Sequence, residues 1–127
     1  MTVTLCLWLF VWLSVKHLII DFPLQGPYQY MNKGTYGHPG GIQHSTWHGG
    51  GTILVFWLVA GRLDYAIVLG AIDGIIHYHI DWAKVNVNKF MKWGPTTHEE
   101  FWWTLGVDQF LHMLTYIGLV YAASIWI

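Results

Sequence analysis

The sequence predicts an all-α integral membrane protein, about four transmembrane helices in an antiparallel bundle, forming one polytopic domain over residues 1–127. Three observations carry this reading. Residues are 54% hydrophobic and 10% charged, whereas an ordinary soluble domain is about 25% charged. The chain holds nine Trp, a side chain suited to the boundary between apolar and wet surroundings. Four apolar runs are separated by segments rich in Gly, Pro and Lys. The same composition argues against disorder, and a net charge of −1 without a basic cluster argues against nucleic-acid binding. A single cysteine, Cys6, excludes an internal disulfide framework and a Cys-rich zinc site.

The first helix is expected over about 3–22, where VTLCLWLFVWLSVKHLIIDF suffices to cross a hydrocarbon core of about 30 Å and Pro23 stops it. It lacks a basic leader and a small-residue cleavage site, so it reads as retained. The second, about 43–60, opens on HSTWHGGG and turns apolar at ILVFWLVA. The third, about 64–82, is interrupted by Gly and His. The fourth, about 97–127, opens at Thr96 or Thr97, with Glu99 or Glu100 placed to close a capping box.

Lysines set the expected orientation. Lys16 and Lys33 flank or lie in the first loop, and Lys84, Lys89 and Lys92 lie in the third, whereas the tight second turn carries Arg62. The positive-inside rule then puts loops one and three in the cytoplasm and both termini outside.

Chemistry enters through spacing. His17 and Asp21, His44 and His48, Asp73, His77 and Asp81, and Asp108 and His112 each recur four residues apart. Residues i and i+4 share one helix face about one turn apart, so each segment aims a pair or triple inward. Helices supply two ligands to one metal in this way. In an up-down bundle, the end of helix one, the start of two, the end of three and the start of four meet at one membrane face. The four sets should therefore converge there. A lone intramembrane His or Asp is as often a packing hydrogen bond as a ligand. Nine converging groups are different, because ionisable side chains in a membrane default to function. His79 lies on the far side of its helix, and His38 and His98 are loop residues with no special claim.

The run from His17 through Asp21 to Gln25, then Lys33, His44 and His48, then Asp73-Gly-Ile-Ile-His77 through Asp81 to Lys84, then Asp108-Gln109-Phe-Leu-His112, resembles the membrane-protein family "domain of unknown function 3307". The resemblance covers most of the chain. It implies a small multi-helix inner-membrane protein of bacterial or phage origin, and it brings no activity with it.

The residues themselves suggest a divalent metal. Imidazole and carboxylate without thiolate suit zinc, manganese or iron, and nine candidate groups leave room for two ions bridged by an Asp. The expected metal ligands are His44, His48, Asp73, His77, Asp108 and His112. Asp21, Asp81 and Lys84 are the expected catalytic residues, with His17, Gln25, Lys33 and Gln109 as further ligands or supporting partners. The expected function is metal-dependent hydrolysis of a lipid or phosphate-bearing substrate at the cytoplasmic face of a bacterial inner membrane. The expected partners are membrane lipid and either a second copy or a larger membrane complex. The alternative is a non-catalytic proton or ion transporter, or a structural membrane subunit whose His/Asp cluster specifies packing.

Overall fold

The computed structural model describes residues 1–126 and is all-α, with no strand among them. The elements are α1 (Val3–Asp21), α2 (Pro27–Tyr30), α3 (Pro39–Ala60), α4 (Leu63–Met91) and α5 (Glu100–Trp126). α1 packs against α3, α3 against α4, α4 against α5 and α5 back against α1, which closes a four-membered ring. The short α2 rests on α3.

Local chemistry fixes the ends. Thr2 caps α1, its hydroxyl accepting from the Leu5 N–H at 3.2 Å. Pro39 occupies the first turn of α3 and the His38 ring accepts from the Gly40 N–H at 3.0 Å. Gly61, at φ 71°, terminates α3 in a left-handed cap and permits the sharp return into α4. The third predicted segment is extended well past Trp82, because nothing in KVNVNKFM breaks a helix before Gly94 and Pro95. Asn86 donates to the Gly34 carbonyl at 2.9 Å and Asn88 accepts from the Thr104 hydroxyl at 2.7 Å, so tertiary bonds hold these added turns. The second predicted segment starts four residues earlier than expected and the fourth starts three later. The last residue of that fourth segment, Ile127, lies outside the described residues.

The bundle has two unlike halves. Leu9, Leu13, Phe56, Ala66, Leu69, Leu119 and Ala123 form an apolar core at the end carrying the Gly61 turn. The other half buries Lys, His and Asp. Among the described residues, fifteen of the buried side chains are polar or charged and ten are hydrophobic. By length and mean hydropathy one described helix, α1, is sufficient to cross a membrane.

α3 and α4 cross at small residues. A Cβ on Gly49 would meet the Gly70 carbonyl oxygen at 2.7 Å, and one on Gly70 would meet the Gly49 oxygen at 2.6 Å. These are backbone atoms, so the neighbour cannot swing aside. Gly50 by contrast faces open space. Gly70→Val should therefore destabilise the bundle by roughly 1–3 kcal/mol through overpacking, whereas Gly50→Ala should be neutral or slightly stabilising. Denaturant titration of the two variants checks this, and equal stability for the two would contradict the close crossing.

Candidate metal centre

Four carboxylates and two lysines, Lys16 and Lys33, are buried in the polar half, and Lys84 is half-buried beside them. Lys16 on α1 reaches Asp73 at 2.8 Å, Lys33 in the first loop reaches Asp81 at 3.3 Å, and Lys84 on α4 reaches Asp108 at 3.4 Å. The fourth carboxylate, Asp21, has no Lys or Arg within ion-pairing distance among the described residues. It faces imidazoles instead.

The geometry around Asp21 is that of a ligand set. Its Oδ1 lies 2.9 Å from His48 Nε2, 3.1 Å from His44 Nε2 and 3.6 Å from His77 Nε2, while His44 and His77 Nε2 are 3.3 Å apart. Ligand atoms about 2.0–2.2 Å from a tetrahedral ion stand about 3.3–3.6 Å from one another. Donors from α1, α3 and α4 thus already surround a space of ion size, and all four residues are buried.

Proton bookkeeping at His44 points the same way. The Gln29 amide donates to Gln43 at 3.1 Å, so its oxygen faces His44 Nδ1, also at 3.1 Å, and accepts a proton from it. In a neutral imidazole that leaves the Nε2 lone pair aimed at Asp21 Oδ1 and at Asp81 Oδ2, 3.2 Å away. Lys33 donates to Asp81 Oδ2 and His48 Nε2 lies 2.9 Å from Asp21 Oδ1, so the group left without a donor is the His44 Nε2 lone pair, which a cation or an added proton would satisfy. A carbonyl on the far nitrogen is the usual way a ligating His is oriented. His48 Nδ1 has Lys16 Nζ at 3.4 Å, and His77 Nδ1 has no partner, so His44 alone has this support.

Asp81 joins this set to a second one. Its Oδ2 is 3.3 Å from His77 Nε2 and its Oδ1 is 3.2 Å from His112 Nε2, which lies 3.5 Å from Asp108 Oδ1. The rings of His48, His77 and His112 stack in sequence, centroids 3.5 and 4.0 Å apart. Asp81, Asp108 and His112 form a further group able to hold an ion. Asp108 Oδ1 has no hydrogen-bond partner, an unsatisfied buried acceptor of the kind a metal or a bound ligand would complete.

The expected convergence is present: helices α1, α3, α4 and α5 bring His17, Asp21, His44, His48, His77, Asp81, Asp108 and His112 together. Asp73 differs from the expectation of a metal ligand. Its Oδ2 is held by the Lys16 ammonium and the Thr52 hydroxyl, which turn it away from the imidazoles. His17 supports Asp21 from behind. Its Nε2 is 3.0 Å from both Asp21 Oδ2 and Gln109 Oε1, and its Nδ1 accepts from the Tyr116 hydroxyl at 2.9 Å. Gln109 donates to Asp108 at 3.0 Å, and Gln25 both donates to the Asp21 carbonyl at 2.7 Å and accepts from Lys33 at 2.9 Å. His79 bonds Tyr36 on the outer surface at 2.9 Å.

Sequence reasoning passed over Lys16, Thr52, Gln29 and Tyr116. Lys16 carried a signal, since a lysine inside an apolar run requires a partner. Gln29 and Tyr116 carried none, because nothing in their spacing marks them.

The family model described as "Protein of unknown function (DUF3307)" matches residues 9–127, and the chain belongs to that family. No curated protein and no solved structure matches it. The matched span includes every residue of the centre.

Lys16 also accepts the duty of closing the polar half against the apolar core, donating to the His48 carbonyl at 3.2 Å and to Tyr116 at 3.1 Å. Lys16→Met would strand Asp73 as an uncompensated buried charge, a loss of about 3–5 kcal/mol. Adding Asp73→Asn should restore most of it. Unfolding of the single and double variants measures the difference, and a double variant no more stable than the single one would refute the pairing.

Proposed function

We propose that this chain is a four-span membrane protein carrying one divalent metal at Asp21, His44, His48 and His77, and that it acts as a metal-dependent hydrolase at the membrane interface. The observation that carries the reading is the lysine-free carboxylate: Asp21 is the one buried acid without a lysine partner, and three imidazole nitrogens lie within 3.6 Å of its Oδ1. Four carboxylates against three ammonium groups leave one net negative charge, at Asp21, which a divalent ion there would more than offset. The group at Asp81, Asp108 and His112 already has Lys33 and Lys84 beside it, which favours one ion over two. Imidazole and carboxylate donors suit zinc, manganese or iron.

The membrane reading rests on which faces are apolar. Trp8, Val11 and Trp12 on α1, Leu54 and Leu58 on α3, Ile67, Val68 and Ile75 on α4, and Phe110, Leu114 and Ile117 on α5 are all exposed. Their polar neighbours point inward. Windowed hydropathy averages the two faces, which is why α3, α4 and α5 fall short of the threshold that α1 meets. A bundle with a polar interior and an apolar exterior matches lipid as solvent. The lysines at the polar end support an orientation with that end, and the centre, on the cytoplasmic side of a bacterial inner membrane.

A bound metal would lower the pKa of a coordinated water toward neutrality and polarise the bond under attack. The chain supplies the rest. Asp81 and His112 stand next to the set and are placed to take the water's proton, and Lys84 is placed to hold an anionic group of the substrate. The dry half around Leu9, Leu13, Phe56 and Leu69 argues against a path through the membrane, and hence against a transporter.

Elemental analysis of protein purified in detergent tests the centre. The expected result is about one zinc, manganese or iron per chain, lost in His48→Ala and in Asp21→Asn. Gly50→Ala, at a position facing open space, should keep its metal and controls for folding. Protein that is metal-free, stays folded and takes up none of the three ions on addition would overturn the reading.

Orientation is tested independently: a reporter fused after the last residue should be external, and one inserted near Gly94 cytoplasmic. The reverse result would move the centre to the opposite leaflet.

A further inference from the structure

Distance alone would make His17 a metal ligand. It is buried, and its ring lies 4.9 Å from that of His112 and 5.3 Å from that of His48. One nitrogen each from His17, His77 and His112 lie within 4.8 Å of one another. A ligand must bring a lone pair, however, so its role turns on which ring nitrogen carries the proton. Two neighbours on α5 fix that independently.

The first is Tyr116. Its hydroxyl oxygen accepts from the Lys16 ammonium at 3.1 Å, and an ammonium can only donate. The proton of the phenol itself then needs an acceptor. His17 Nδ1, at 2.9 Å, is the other polar contact of that hydroxyl among the described residues, so Nδ1 receives it on a lone pair. Tyr116 is fully buried, and bulk water does not compete for the bond.

The second is Gln109. Its amide nitrogen donates to Asp108 Oδ2 at 3.0 Å and to Asp21 Oδ2 at 3.4 Å. Reversing the amide would turn its oxygen against two carboxylates, so the oxygen is the atom that faces His17 Nε2. An amide oxygen only accepts. Nε2 therefore bears a proton, shared between Gln109 Oε1 and Asp21 Oδ2, each 3.0 Å away.

We infer that Tyr116 and Gln109 lock His17 as the neutral Nε2–H tautomer, which makes it a fixed donor to Asp21 Oδ2 and not a metal ligand. The hydrogen bonds then run in one direction, from Lys16 through Tyr116 and His17 to Asp21. They divide the carboxylate in two. Oδ2 is filled by protein donors, and Oδ1 is left to the space among His44, His48 and His77. For the metal centre proposed above, and resting on that reading, Tyr116 is a positioning residue that acts on Asp21 through His17.

Nitrogen NMR of chelator-treated protein with isotope-labelled histidine tests the tautomer directly, and His17→Gln identifies the His17 signals. Nδ1 should resonate as an unprotonated nitrogen and Nε2 as a protonated one. The opposite pattern, or a doubly protonated ring, would overturn the inference. Tyr116→Phe keeps the ring and removes the donor, so the Nδ1 signal should move further from the protonated range. An unmoved signal would remove Tyr116 from the lock. On adding zinc, His17 should keep its Nε2 proton while the signals of His44, His48 and His77 shift, and a His17 that loses that proton would also defeat the inference. Zinc should bind Tyr116→Phe roughly tenfold or more weakly than wild type, the scale of a lost supporting hydrogen bond, and equal affinity would defeat the positioning role. Protein that takes up no zinc yet holds His17 in this tautomer defeats the proposed centre and supports the lock.

Discussion

Everything in the polar half is arranged around one buried charge that has no fixed counter-ion. An ionised carboxylate away from water is tolerated only when paired or coordinated. Asp73, Asp81 and Asp108 are paired with ammonium groups delivered from α1, the first loop and α4. Asp21 is left to the imidazoles of α3 and α4. A lysine brings its charge on a flexible stem and fills the space it neutralises. An imidazole brings a lone pair and leaves that space open, so Asp21 is where the proposed ion would be held.

This division constrains the rest of the chain. The imidazoles must arrive on two helices that nearly touch, which is why α3 and α4 meet through Gly49 and Gly70. The first loop must fold back over the end of the bundle, because it carries Gln29 to His44 and Lys33 to Asp81. The opposite half is free of such demands and packs as an ordinary apolar core around Phe56 and Leu69. Tyr116 marks the border, with its ring among the apolar residues and its hydroxyl between Lys16 and His17.

Much of this was legible before any coordinates. The four-residue spacings of His and Asp place those side chains on single faces, and antiparallel connectivity then brings the faces to one end. The limits were of two kinds. Asp73 shares its face with His77, yet Lys16 and Thr52 claim it, and a residue's partner across the bundle cannot be read from its own helix. The end of α4 was misplaced at Trp82, where apolar character stops, because hydropathy reports the solvent and helix ends are decided by caps and breakers. The extra turns exist because Asn86 and Asn88 bond to the first loop and to α5, contacts that no local pattern announces.

The unequal helix lengths have a mechanical meaning. At about 1.5 Å per residue, the 19 residues of α1 match a bilayer core, whereas the 29 of α4 and 27 of α5 overrun it by a third or more. In the proposed membrane setting, a bundle of such mismatched staves would lean or stand proud of the lipid on one side. The overrun falls on the pair of helices that frame Lys84 and Asp108. On that reading these two helices would form a raised rim beside the bilayer, and the height of that rim above the lipid would vary with membrane thickness.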